Sequence, residues 1–215
     1  MLALGHTGIT LGVAAIIAQL AAAGRRPTEP EAPDRLASKQ EGEAPLSRPG
    51  PARWPRTLAL LADYVDIRLV LVGSLLPDII DKPLGMVFLS SSLSNGRIFA
   101  HTLLFLALMT LTGLIVYRRT GRNWLLVLSF GTATHLVFDG MWSNLHTLLW
   151  PAYGLGFDKL ALSDWLPRMA RALKTNPAVY VPEAIGGVIM GWFVWVLVQS
   201  RSIFTFLRHG RQAPR

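Results

Sequence analysis

Apolar residues come along this chain in long blocks broken by short polar joints, and the blocks set the elements. The first runs from Leu2 to Ala23, interrupted only by His6 and Gln19. A second block, "TLALLADYVDIRLVLVGSLLPDII", predicts a helix whose lipid-compatible part spans about Ile67 to Ile80, breaking or kinking where Pro77 and Pro83 bracket its end. Ile98 to Tyr117 is a third span, with His101 as its only titratable residue, closed by Arg118, Arg119 and Arg122. Asn123 to about Ser143 is a fourth, carrying His135 and Asp139, and Ala184 to about Ser200 a fifth. A bilayer crossing takes roughly 20 apolar residues, so the pattern predicts an all-α, polytopic membrane protein with about five spans. Between the last two spans, Leu162, Trp165, Leu166, Met169 and Leu173 recur at helical spacing, with Arg168 and Arg171 opposite. That stretch, 160–174, reads as one amphipathic helix lying at the interface, although Pro167 interrupts it.

The joints divide the chain into a first span (1–23), a loop (24–57), a helical membrane core (58–200) and a basic tail (201–215). A cleaved signal peptide would carry its positive charge before the first block; here Arg25 and Arg26 follow it, which favours a retained span. The loop holds seven of the fourteen prolines among Glu, Arg, Ser and Ala. It cannot bury enough apolar surface to fold alone, which predicts a disordered cytoplasmic segment open to a cytosolic partner.

Composition agrees with the blocks. Hydrophobic residues make up 51% of the 215 and charged residues only 16%, against about 25% in soluble domains. The net charge of +8 raises nucleic acid as a partner, but the basic residues sit in short clusters beside apolar runs, which suits topology rather than phosphate tracking. Fourteen Lys and Arg fall in 24–66, 118–122 and 201–215, against six on the opposite connections. The positive-inside rule therefore puts the N-terminus outside and the C-terminus in the cytoplasm of a cell (inner) membrane protein.

This topology carries the polar residues to a common height. His6 lies at the outer start of the first span and Asp78 and Asp81 at the outer end of the second. His101 is roughly 5 Å into the third at 1.5 Å per residue. Asp139 is near the outer end of the fourth, with His135 one turn deeper. Carboxylates in hydrocarbon are tolerated only with partners. Cysteine is absent, so any metal must be held by His, Asp or Glu. In "THLVFD", His135 and Asp139 are i, i+4; Asp78 and Asp81 are i, i+3. Three imidazoles and three carboxylates suit one divalent cation, or two sharing a bridging carboxylate: Zn²⁺ or Mn²⁺ before Fe²⁺. Such a metal lowers the pKa of bound water, the route to a hydrolase. A proton relay or a purely structural polar cluster would use the same residue types. Asp63 and Asp66 fall at the other end, His146 past the helix and His209 in the basic tail, while Ser74 has no evident base beside it.

"GHTGITLG", "GSLLPDIIDK", "GRIFAHTLL" and "THLVFDG" together resemble, in order, the motifs of the predicted inner-membrane metal-dependent hydrolase family, also described as LexA-binding, membrane-bound hydrolase-like. The resemblance covers all the predicted spans but neither 24–57 nor the tail. It implies that His6, Asp78, Asp81, His101, His135 and Asp139 are metal ligands, and that Arg97 holds a phosphate or carboxylate bidentately. The chain departs from the family at Gly96, where a His precedes that Arg, and at Thr102, which replaces a Ser.

Together these readings predict a membrane-embedded, metal-dependent hydrolase in contact with the bilayer. It would act at the outer leaflet on an amphiphilic lipid or phosphoester substrate, with Asp81 either completing the metal shell or taking the proton of the attacking water. The competing expectation is a non-enzyme: an ion- or proton-coupled transporter, or a scaffold for a cytosolic partner.

Overall fold

The structure, a computed structural model, describes residues 2–24, 54–90, 95–154 and 162–210. Among these the chain is helical throughout, with no strand: α1 (Ala3–Ala23), α2 (Arg56–Tyr64), α3 (Ile67–Pro83), α4 (Leu103–Thr120), α5 (Trp124–Phe138), α6 (Leu145–Leu148), α7 (Leu162–Thr175), α8 (Pro177–Gln199) and α9 (Ile203–His209). Three of them, α1, α4 and α8, are long and apolar enough to cross a membrane. The expected count of about five full spans resolves into these three and two shorter helices, the 17-residue α3 and the 15-residue α5, which pack on each other. Lipid-compatible side chains point outward, among them Leu108, Leu111, Val188 and Trp195.

Local chemistry sets the boundaries and corrects several expected ones. The second block is two helices, because Val65 turns extended at the end of the first and Asp66 caps the second, its side chain accepting from Arg68 N at 2.9 Å. α3 then runs through Pro77 instead of breaking there. Pro77 has no N–H for the Gly73 carbonyl, and Thr132 Oγ1 of α5 donates to that oxygen at 3.4 Å. The third helix begins at Leu103, not Ile98: Thr102 caps it by accepting from Phe105 N at 3.0 Å. The fourth stops at Phe138, since Gly140 turns left-handed with φ 66°. α8 starts earlier than expected, at Pro177, with Asn176 as its cap accepting from Ala178 N at 3.0 Å. The amphipathic stretch forms α7, which packs along α8.

The apolar core fills one end of the bundle. Leu11, Leu58, Ile67, Val70, Phe193 and Phe206 are all buried there. Residues 25–53 of the expected loop lie outside the described residues, but its last four do not behave as loop. Trp54 is buried against Phe193 and Phe206, its indole N–H donates to Ser202 Oγ at 2.9 Å, and Arg56 opens α2. An indole buries much area and also finds an acceptor, which anchors α2 to the start of α9.

Small residues bring the helices close. A Cβ on Gly73 of α3 would lie 2.8 Å from the Leu128 carbonyl oxygen of α5, and one on Gly131 would strike the Gly73 backbone; Gly8 of α1 and Gly186 of α8 meet the same way. α1 and α4 begin, and α3 and α5 end, at the opposite end of the bundle from the core. Gly131→Ala should therefore lower the thermal midpoint of the purified protein, a loss of about 1–3 kcal/mol for overpacking against rigid backbone. Gly191→Ala, where nothing lies within 4 Å of the new methyl, should leave the midpoint unchanged or raise it.

Candidate metal centre

At that end His6, Asp81, His101 and His135 are all fully buried, and Asp78 is partly buried. The two central imidazoles have their tautomers set by their surroundings. His135 Nδ1 is 2.7 Å from the Ser74 carbonyl oxygen, which can only accept, so Nδ1 carries the proton. His101 Nδ1 is 2.7 Å from Asp81 Oδ2 and donates likewise. With both rings neutral each Nε2 is a lone pair, and the two face each other at 3.2 Å. Two lone pairs at that distance repel unless a proton or a metal cation lies between them. Two imidazole nitrogens at tetrahedral angles on a zinc ion are about 3.3 Å apart. Asp78 Oδ1 completes the arrangement, 3.6 Å from His101 Nε2 and 4.0 Å from His135 Nε2. Asp78, His101 and His135 thus each offer one ligand atom within 4.8 Å of the others.

The remaining expected residues divide. Asp81 is turned away from that group. Its carboxylate accepts from the amides of Ile98, Ala100 and His101 and from His101 Nδ1, so its oxygens are committed to holding the 98–101 segment and orienting His101. Asp139, just past the end of α5, meets Arg97 through two contacts: Nε to Oδ2 at 2.6 Å and Nη2 to Oδ1 at 2.9 Å. Arg97 is therefore occupied by a carboxylate of its own chain. Asp78 Oδ2 is likewise held by Lys82 Nζ at 2.6 Å, leaving Oδ1 toward the imidazoles.

His6 stands beside the three. Its ring stacks on His135 with centroids 4.0 Å apart and planes 19° from parallel. Neither ring nitrogen has a hydrogen-bond partner among the described residues, and Asp139 Oδ1 is 3.8 Å from Nε2. A buried, unsatisfied polar atom costs about 1–3 kcal/mol. An orphaned imidazole beside two opposed lone pairs fits a site built for an ion.

Glu183 was not in the expected set, yet it places His6. From the first turns of α8 it accepts from the backbone N–H of Leu2 and, at 3.0 Å, of Gly5. It thereby satisfies amides at the start of α1, which has no side-chain cap of its own, and opposes the positive end of the helix. A lone Glu behind a proline near the start of an apolar helix was the available signal. His146 packs against Tyr153, and Asp66 pairs with Arg68; neither joins the group.

These features define a polytopic helical membrane protein with a buried His/Asp centre at one end of the bundle. The chain belongs to the YdjM inner membrane protein family, whose model matches residues 1–208, and so is a multi-pass protein of the inner membrane. No curated protein and no solved structure matches it.

Glu183→Ala should free the start of α1. Amide exchange at Ala3 to His6 is expected to quicken at least tenfold by mass spectrometry, with exchange in α4 unchanged. Equal protection in variant and parent would show that Glu183 does not hold the helix.

Proposed function

We propose that this protein is a membrane-embedded, metal-dependent hydrolase. The observation that carries the reading is the pair of Nε2 atoms facing each other at 3.2 Å, with Asp78 Oδ1 beside them. Asp78, His101 and His135 would hold a divalent cation, zinc or manganese, and His6 is the nearest candidate for a further ligand. A cation so held supplies Lewis-acid chemistry, lowering the pKa of a water to near neutrality and polarising the substrate.

The protein's own residues do the rest. Ser74 C=O and Asp81 fix the imidazole tautomers, so both rings present a lone pair without rearrangement. Asp139, held through both oxygens by Arg97, faces His6 at 3.8 Å and bounds the open side of the centre. Asp81, with every oxygen engaged, serves as a positioning residue rather than the base. Burial of the rings keeps bulk water from competing at the site. By the charge distribution along the chain the centre opens to the outer side of the membrane, where an amphiphilic or phosphate-containing substrate would reach it.

Full-length protein purified without chelator should carry close to one metal per chain by mass spectrometry of the metal content. Asp78→Ala and His135→Ala should each lose it, and should lower hydrolysis of a generic phosphoester by at least a hundredfold. Asp81→Asn should weaken metal binding about 10–100-fold, the size usual for a partner of a metal-bound histidine. Stoichiometric metal in the Asp78→Ala protein, or a parent protein that takes up none, would overturn the reading in favour of a transporter or scaffold.

A further inference from the structure

A cavity of about 360 Å³ adjoins the centre, bounded by Asp78 and Asp139 on one side and by α7 on the other. Its charges do not cancel. Lys82 pairs with Asp78 and Arg97 with Asp139, so both acids are spent on cations of their own chain. Arg168 of α7 also lines the cavity, is exposed, and makes no ion pair or hydrogen bond among the described residues; Asp164, one turn earlier, does not meet it. The cavity therefore holds one uncompensated guanidinium, a group whose planar fork suits phosphate oxygens. Asn144 adds a donor: its Oδ1 accepts from Thr147 N at 3.2 Å, which leaves its NH₂ for a ligand.

The other wall is apolar. Trp165 and Met169 lie i, i+4 on the same face of α7 as the cavity, with Val179 beyond them, and Lys82 Nζ sits 5.2 Å from the centre of the Trp165 ring. Leu166 and Leu173 of the same helix are exposed. Pockets that enclose a small-molecule ligand run roughly 300–1,000 Å³, so this one, near the lower bound, has room for a head group but not for long chains as well.

We propose that Arg168 anchors the phosphate of an amphiphilic phosphate ester whose head group enters this cavity while its chains stay in the bilayer beside α7. This deepens the hydrolase reading and rests on it for the fate of the bound ester. Arg168, not Arg97, is the anion-recognising residue, because Arg97 is already held by Asp139. The choice of an ester with apolar chains comes from Trp165 and Met169, which a soluble phosphate would leave uncovered.

The test uses full-length protein in alkyl-maltoside micelles, which carry no phosphate, with binding of dihexanoyl phosphatidate, dihexanoylglycerol and glycerol 3-phosphate measured by calorimetry, and metal content measured on the same samples. Phosphatidate should bind, glycerol 3-phosphate at least tenfold more weakly, and dihexanoylglycerol not detectably. Arg168→Ala should weaken phosphatidate at least tenfold and Arg168→Lys less, with metal content unchanged. Arg171→Ala removes the same charge from a position outside the cavity and should bind like the parent. Unchanged affinity in Arg168→Ala, or equal losses in the two alanine variants, overturns the anchor. Equal binding of phosphatidate and glycerol 3-phosphate overturns the amphiphile. Arg168-dependent binding in a protein that holds no metal supports the anchor and removes the hydrolase reading alone.

Discussion

Two imidazole nitrogens are forced to face each other with their lone pairs, and the rest of this structure follows from that constraint. His135 cannot turn, because its Nδ1–H is spent on the Ser74 carbonyl; His101 cannot turn, because its Nδ1–H is spent on Asp81. Neutral rings so held repel across 3.2 Å, and a positive charge between them converts the repulsion into binding. Preorganisation of this kind costs folding free energy while the site is empty and returns it when a cation binds. His6 adds to the same imbalance, lying over His135 with both nitrogens unsatisfied.

The fold absorbs this cost by separating its two tasks along the bundle axis. At one end Trp54, Phe193, Phe206 and the leucines of α1 and α2 make an apolar core held by packing and by the Trp54 N–H bond to Ser202. At the other end the helices of the bundle terminate, where backbone groups lack intrahelical partners and polar side chains can be satisfied by them. Asp81 illustrates the economy: one carboxylate closes the 98–101 segment and fixes a ring. Pro77 is a second case, since it frees the Gly73 carbonyl for Thr132 close to the Ser74 carbonyl that takes His135. Backbone contact at Gly73 and Gly131 then holds α3 and α5 at a separation that lets those bonds form.

Much of this was legible in the chain. The apolar blocks and the charge asymmetry point to a helical membrane protein, and alternating helix direction brings His6, Asp78, His101 and His135 to one height because height depends only on counting residues from a helix end. Rotation about each helix is a different matter. Spacing makes Asp78 and Asp81 look like twin ligands, yet the two residues between them turn one toward the imidazoles and the other toward the backbone of 98–101. Likewise Asp139 follows His135 by one helical turn and reaches the His6 side of the centre, but Arg97 from a distant segment holds both its oxygens. Glu183 and Trp54 were missed because their partners lie 178 and 148 residues away, Gly5 and Ser202, and no local pattern records them. The α2–α3 break was missed because Asp66 reads as one polar residue in an apolar run, while its capping bond is a property of the folded turn.

X-ray absorption spectroscopy of the full-length protein loaded with one equivalent of zinc tests the central claim most directly. Opposed Nε2 atoms with Asp78 beside them predict a first shell of nitrogen and oxygen at about 2.0–2.1 Å. The outer-shell scattering should be that of at least two imidazoles, and it should disappear in His135→Ala. A shell of oxygen alone, or imidazole scattering that survives that substitution, would contradict the account.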